Sequence, residues 1–428
     1  MKKFAPLLLL CLLLVGLAAC DGWPAASPSS TASALTETQQ VGSTHVPRPT
    51  PSPTIQLRQG TISLWHAWDD DQLPALLGII ASFQEIYPGI LFDVLYVPPQ
   101  NLYDRYFLAT SEGGGPSILL GTAEWGPQLF DAGLVADLTG RPNPSILERL
   151  LPPALGTGQY RGSLISLPYS QRGVVLYRNR QIIPESPETF DDLIRLAQLL
   201  TEGDQIGAIL ERSPYFAGGH LYGFGGSLMD EDNNPMFNTP AGLAWVELLQ
   251  TFAQAGPPDY FTDNDLDLFR QGRVGFVIDG TWNRYNLAEA IGAAYLEIDP
   301  WPVHDHGALA GFVHADNIYL NAKSSEATAG LAWLFIEHML SEESQALLGS
   351  TSLLPVVDIT LESKLADQAL NALAGGVTYP VHPQFSVYLD PLDQALRSVF
   401  DRGVLPEQAL RTAEEAIRTV LQSTSQAP

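Results

Sequence analysis

The stretch from Thr61 to Val97 sets the strongest limit on how this chain folds. Thr61–His66 is apolar and β-branched, as strands are. Leu73, Leu76, Leu77, Ile80 and Phe83 then recur at helical spacing behind Asp69 or Asp70, either of which suits an N-cap. Tyr87-Pro88-Gly89 ends that helix, and Ile90–Val97 returns to a strand. Strand, helix and strand within about 35 residues make a βαβ unit, which forces its two strands to be parallel. The alternation recurs. Ser117–Gly121, Val174–Tyr177, Val274–Ile278 and Asn317–Leu320 read as strands, and Ser186-Pro187 opens a helix bearing Phe190, Leu193, Ile194, Ala197 and Leu200 on one face. The expectation is an α/β protein. "AGLAW" occurs at Ala241–Trp245 and again at Ala329–Trp333, in helical patterns, so Trp245 and Trp333 are expected in the core.

Ahead of this body the chain begins Met-Lys-Lys, runs apolar from Phe4 to Ala19, and reaches Leu17-Ala18-Ala19-Cys20. A basic start, an apolar middle and small residues before a cut site make an export signal over residues 1–19. The apolar run is shorter than the roughly 20 residues a spanning helix needs. "LAAC" resembles the lipobox of bacterial lipoproteins, in which the cysteine, here Cys20, is lipidated and becomes the mature N-terminus. Residues 20–58 are dominated by Ser, Thr, Pro and Ala, too polar to bury a core, and read as an extended tether spanning about 35 Å as a coil. The chain has 2 Cys, Cys11 and Cys20; with one in the signal and the other carrying lipid, the body has no disulfide and no thiol nucleophile.

The body, at roughly 370 residues, is long enough for two domains. A formal net charge of -25 with 16% charged residues gives an acidic, sparsely charged surface. Nucleic acid needs a basic stripe, so that partner is excluded.

Three strand ends carry an acid beside a tryptophan: Trp65 to Asp70, Glu124-Trp125, and Asp279 to Trp282. In open parallel sheets, ligands bind outside the carboxyl ends of strands. Flat rings cover the C–H faces of a pyranose, and carboxylates hold its hydroxyls. The pattern points to carbohydrate. Trp65 also suits a core edge, Asp69 a cap, and Glu124 a solvated loop. For Trp282, at a strand end, no core role is evident. Asp316 and Asn317 lie near a chain crossing and suit either the cleft or a turn.

Several blocks, in order, carry a family resemblance. "ISLWHAWDDDQLPALLGIIASFQEIYPGI", "SEGGGPSILLGTAEWGPQLFDAGLVADLT", "SLPYSQRGVVLYRNRQIIPESPETFDDLI" and "DLFRQGRVGFVIDGTWN" resemble the opening strand, the "GxGPDxxxG…AGLLxPLT" block, the first hinge and the "FxxGxxAMxxxGxW" strand of the bacterial extracellular solute-binding proteins of family 1. This is the maltose/maltodextrin-binding group that serves ABC sugar importers. Ser117 stands where aspartate is usual, and Asp70 where the maltose-binding branch has lysine. The resemblance implies a two-lobe α/β fold of the type II periplasmic-binding-protein kind, each lobe a sheet flanked by helices. Crossovers are expected near Tyr169–Gly173, Gly311–Tyr319 and Thr351–Ile359. Lobe 1 would take 59–170 with 318–352, and lobe 2 would take 171–317 with 353–428. Carried over, Trp65, Asp69 and Glu124 line the first lobe; Gln171 or Arg172, Tyr215 and Trp282 line the second, with Tyr388 for the family's C-terminal aromatic. Trp125 joins the set as Glu124's neighbour. The implied function is a lipid-anchored, monomeric receptor that closes on a sugar and delivers it to permease subunits, without cofactor or catalysis.

Two other functions fit parts of the pattern. An acidic, aromatic cleft also suits a cationic ligand such as a polyamine, and Asp69 or Asp70 with Glu124 would be the carboxylate pair of a glycoside hydrolase. A phosphorylated ligand would want clustered Arg or Lys, which the candidate pocket lacks. His304-Asp305-His306 with His314 has no metal-ligand spacing signature, and Asp230–Asn234 lacks the glycine and distal glutamate of a calcium loop.

Overall fold

The computed structural model describes residues 58–257, 264–304 and 307–425. The expected signal, Cys20 and almost all of the tether lie outside the described residues. The strands are β1 (Gly60–His66), β2 (Ile90–Tyr96), β3 (Ile118–Thr122), β4 (Gln159–Tyr160), β5 (Ser163–Leu164), β6 (Leu167–Asn179) and β7 (Ile206–Ile209). There follow β8 (Val274–Gly280), β9 (Leu296–Asp299), β10 (Val303–His304), β11 (Gly307–Ala308), β12 (Phe312–Leu320) and β13 (Val377–Thr378). Helices flank a mixed sheet ordered β2-β1-β3-β12-β6-β8-β7, with β13 on β12 and β9 on β6. The α/β expectation holds, and β1 and β2 are parallel from Gly60↔Ile90 to His66↔Tyr96.

Element starts differ from expectation at two helices. The first runs Leu73–Ile86 with Gln72 as N-cap. Asp69 instead closes the turn before it, its Oδ1 accepting from the Asp71 and Gln72 amides at 3.1 Å each. The second begins at Phe190, because the Thr189 hydroxyl accepts from the Asp192 amide.

The sheet's ends sit in separate cores. Ile62, Leu64, Phe83, Ile318 and Phe335 pack around β1, β3 and the far half of β12. Val174, Leu176, Phe237, Trp245, Phe276, Phe312 and Leu410 pack around the other half, and Tyr177, Phe269 and Val277 fill its opposite face. Trp245 is fully buried, its indole N–H donating to the Ala217 carbonyl at 2.9 Å, and Trp333 is buried in the first core. Two long strands and the segment around Leu354–Leu361 join the cores. β6 and β12 run antiparallel through both, with a register shift between Asp316 and Asn317; such a bulge re-aims side chains next to a site.

His220 sits in the second core between Phe252 and Trp301, at 5.9 and 4.8 Å. Neither ring nitrogen holds a well-formed hydrogen bond. Burial lowers its pKa from 6.5 to about 4, against a weak opposing pull from the Ala310 carbonyl. The unfolded chain therefore takes the proton first. This group's contribution is complete above the unfolded value of 6.5 and is lost as pH falls towards about 4. His220→Leu is expected to flatten the pH dependence of stability across that window by up to roughly 3 kcal/mol. Urea unfolding at neutral and acid pH reads it; an unchanged slope removes His220 from the account.

Candidate functional site

Where the two crossover strands pass between the cores, each opens at one residue. Every position of β6 is buried except Arg172, and every position of β12 except Asp316. The two meet: Arg172 Nη1 donates to Asp316 Oδ1 at 2.7 Å, and Ser170 Oγ donates to Asp316 Oδ2 at 3.3 Å. Directly opposite Arg172 in the antiparallel register is His314, and cross-strand partners share a face. His314 Nδ1 lies 3.0 Å from Glu124 Oε1. Glu124 belongs to a single 3-10 turn, Ala123–Trp125, which leaves the carboxyl end of β3, and its other oxygen accepts from the Thr122 hydroxyl.

Rings enclose this cluster. Tyr379, the residue after β13, stacks on His314 with centroids 4.0 Å apart and planes 28° apart. Tyr215 lies 5.5 Å from His314 and 5.9 Å from Tyr379. Tyr215 is set by a short helix whose N-cap, Ser213, accepts from the Phe216 amide.

The charges are mutually sustained. Asp316 raises the Arg172 pKa, outweighing burial, with Glu124 adding to the rise. Burial pushes the Glu124 carboxyl up, but the His314 hydrogen bond and charge, with Arg172, outweigh it and leave it below its usual value. Glu124 is thus a carboxylate at neutral pH. Burial raises Tyr215, so its hydroxyl stays a donor. The cluster offers acceptors, donors and ring faces side by side.

Of the nine candidates, Glu124, Arg172 and Tyr215 come together here. Trp65 and Trp125 are half-buried against a neighbouring cluster containing Tyr103 and Phe130; the Arg105 guanidinium lies 5.1 Å over the Trp65 ring. Trp282 is 42% exposed on a 3-10 turn that leaves β8, tied to β6 by the Gly173 amide donating to Thr281 Oγ1 at 3.2 Å. Asp69 is on an exposed turn. Gln171 points to the opposite face from Arg172, buried, with Nε2 donating to the Pro355 carbonyl at 2.7 Å. Tyr388 is fully buried, its hydroxyl donating to the Asn233 carbonyl at 2.8 Å. His314 and Tyr379 join the cluster without being among the nine candidates. Period-two alternation along β12 puts His314 on the face of Asp316, a signal present in the sequence; nothing local marks Tyr379.

Trp68 is core, its indole donating to the Tyr169 hydroxyl at 3.0 Å. Among the described residues no group of three or more His, Cys, Asp or Glu is arranged to hold a metal ion. His304 packs on Phe190 and Phe224, while Asp305 and His306 lie outside the described residues. Asp230 closes a turn, its Oδ1 accepting from the Asp232 and Asn234 amides.

Residues 78–399 match the family described as bacterial extracellular solute-binding protein. A maltotriose-binding protein of Pyrococcus abyssi (strain GE5 / Orsay) is 21% identical over 242 residues, 54% of this chain. The chain spans about half the length of that relative, 51%. Among solved structures, the cyclic alpha-maltosyl-1,6-maltose binding protein from Arthrobacter globiformis superposes with a TM-score of 0.75 at 20% identity, over 85% of this chain and 100% of that one. The extracellular solute-binding protein from Staphylococcus aureus in complex with maltose gives 0.76 at 19% identity, over 85% and 98%. At such identities the structural likeness carries the fold alone: a two-lobe α/β architecture.

Proposed function

The chain belongs to the bacterial extracellular solute-binding protein family, and from that premise we propose that it captures a neutral sugar or oligosaccharide between its lobes and delivers it to an ABC importer. In this reading lobe 1 is 59–170 with 318–352 and lobe 2 is 171–317 with 353–428. Cys20 carries lipid outside the cytoplasmic membrane, the tether spaces the body from it, and the receptor works as a monomer. No helix among the described residues is long and apolar enough to cross a membrane.

One observation carries the ligand class. The only breaks in burial along β6 and β12 are Arg172 and Asp316, and each acid of the cluster already faces a partner, Asp316 with Arg172 and Glu124 with His314. A polyamine would have to displace those partners, whereas sugar hydroxyls add to them. Buried polar groups left unpaired cost roughly 1–3 kcal/mol, so the cluster discriminates between hydroxyl arrangements. The relative named as binding maltotriose and the structures named with maltose favour α-glucans as the first ligands to try. Binding would draw the lobes together about the crossover strands, the ligand favouring the closed state.

Tryptophan fluorescence, titrated with maltose, maltotriose, other neutral sugars and spermidine at low and high salt, tests this. The expected result is saturable binding of a neutral sugar that barely changes with ionic strength, and no release of reducing sugar. Salt-sensitive spermidine binding with no sugar response, or turnover of a maltodextrin, would overturn it.

A further inference from the structure

The loops that leave β1 and β8 are both tied to one residue, Ser352, just ahead of the Leu354–Leu361 segment that joins the cores. On the side of the first core, Asp69 pins a turn through the Asp71 and Gln72 amides, and that turn holds out two side chains. Asp71 Oδ2 accepts from the Ser352 amide at 3.0 Å, and Gln72 Nε2 donates to Ser352 Oγ at 3.4 Å. On the other side, Arg284 opens the helix Arg284–Ile291 directly after the Trp282 turn. Its Nη2 donates to the Ser352 carbonyl at 2.7 Å, and its Nη1 donates to the Thr281 carbonyl at 2.9 Å.

Each loop has a second anchor on β6. The Trp68 indole donates to the Tyr169 hydroxyl, and the Gly173 amide donates to Thr281 Oγ1. Two strand-end loops, one from each side of the molecule, are therefore held both at β6 and at Ser352. Asp71, Ser352 and Arg284 are all outside the nine candidate ligand residues.

The two halves of this link differ in how readily they open. Arg284 is 2% exposed, so drawing it away from the Ser352 carbonyl strands a buried cationic donor. Asp71 and Ser352 are exposed, and water replaces their bond when it opens. A hydrogen bond tolerates little change in length or angle. When the lobes turn about the crossover strands, the link gives way at Asp71. In the arrangement it fastens, the groups a sugar must reach are open to solvent: the Arg172 side chain is 36% exposed and Trp282 42%.

We infer that Asp71, Ser352 and Arg284 form a latch that holds the lobes in this ligand-admitting arrangement and so lowers ligand affinity without touching the ligand. Binding has to open the Asp71–Ser352 bond, and the affinity seen from outside is reduced by the share of molecules the latch keeps open. The effect on binding rests on the function proposed above; the effect on shape does not.

Small-angle X-ray scattering of the ligand-free protein and tryptophan-fluorescence titration with maltotriose test the latch in the wild type, Asp71→Ala and Asp71→Asn. Asp71→Ala is expected to lower the ligand-free radius of gyration and to raise maltotriose affinity about three- to tenfold. Asp71→Asn keeps an oxygen that accepts from the Ser352 amide, so its affinity is expected within about twofold of the wild type. Thermal unfolding checks that both variants fold. A wild-type radius of gyration in Asp71→Ala overturns the latch, as does a fall in its affinity or an Asp71→Asn protein that behaves like Asp71→Ala. Silence of all three proteins towards maltotriose counts against the α-glucan reading alone, and scattering then decides the latch.

Discussion

Asp299→Ala is expected to destabilise the fold by about 3–5 kcal/mol, with no direct effect on ligand contacts. Asp299 ends β9 and pairs across to β6, where Arg178 meets it in a two-pronged ion pair: Nε to Oδ2 at 2.6 Å and Nη2 to Oδ1 at 2.9 Å. The third guanidinium nitrogen donates to the Ile183 and Pro184 carbonyls at 2.9 and 3.0 Å. Arg178 is 5% exposed and Asp299 3%. Removing the carboxylate strands a buried cation. The attraction lost is less costly than the charge left unpaired, so the double replacement Arg178→Met with Asp299→Leu should recover most of the loss. Guanidinium unfolding of the three variants reads this. A single-variant loss below about 1 kcal/mol would mean that solvent or a rearranged neighbour neutralises Arg178.

The same strand shows how far the sequence alone reaches. The α/β class is legible because apolar period and β-branching are local properties, and the Thr61–Val97 unit displays both. Helix starts are less so: "DDDQLP" and "ESPET" each offer several caps, and hydrogen bonds to Asp71, Gln72 and Asp192 amides decide among them. Glu124 and Tyr215 are legible as an acid and an aromatic in short turns after or between elements, and Arg172 as a charge inside an otherwise apolar strand. The choice between Gln171 and Arg172 is not, because it depends on which face of β6 meets His314, and pairing with β12, more than a hundred residues away, sets that face. Tyr379 is hidden for the same reason. Its position comes from a two-residue strand, β13, docked beside Phe312 and Val313, and "GGVTYPVHP" has no period to reveal it. Tyr388 is aromatic and near a family position, yet its helix, Ser386–Arg402, turns that face into the core.

Trp282→Ala is expected to weaken sugar binding by about 2 kcal/mol, roughly thirtyfold, while moving stability by no more than about 0.5 kcal/mol. The contrast follows from how the ring is held. At 42% exposure it covers little core, so its deletion leaves no cavity of the kind that costs several kcal/mol. Its indole lies against Gly280, where an added Cβ would collide with the ring. The same device appears in the other half of the molecule: Trp125, on the 3-10 turn after β3, lies against Gly121, again where a Cβ would collide. In each case a glycine sits at or one residue before the end of the strand, the chain makes one 3-10 turn, and the ring folds back on the glycine. At Trp282 the outer face remains exposed. Glycine at such a place sets a side chain's pose rather than a backbone angle, since neither Gly121 nor Gly280 has a positive φ. Gly280→Ala should therefore reproduce much of the binding loss with the indole still present, its fluorescence maximum shifted by a new environment. A Trp282→Ala variant with intact affinity would take the ring out of the ligand's path. Large destabilisation by the same variant would instead make it a packing residue, and the exposed indole face would then need another explanation.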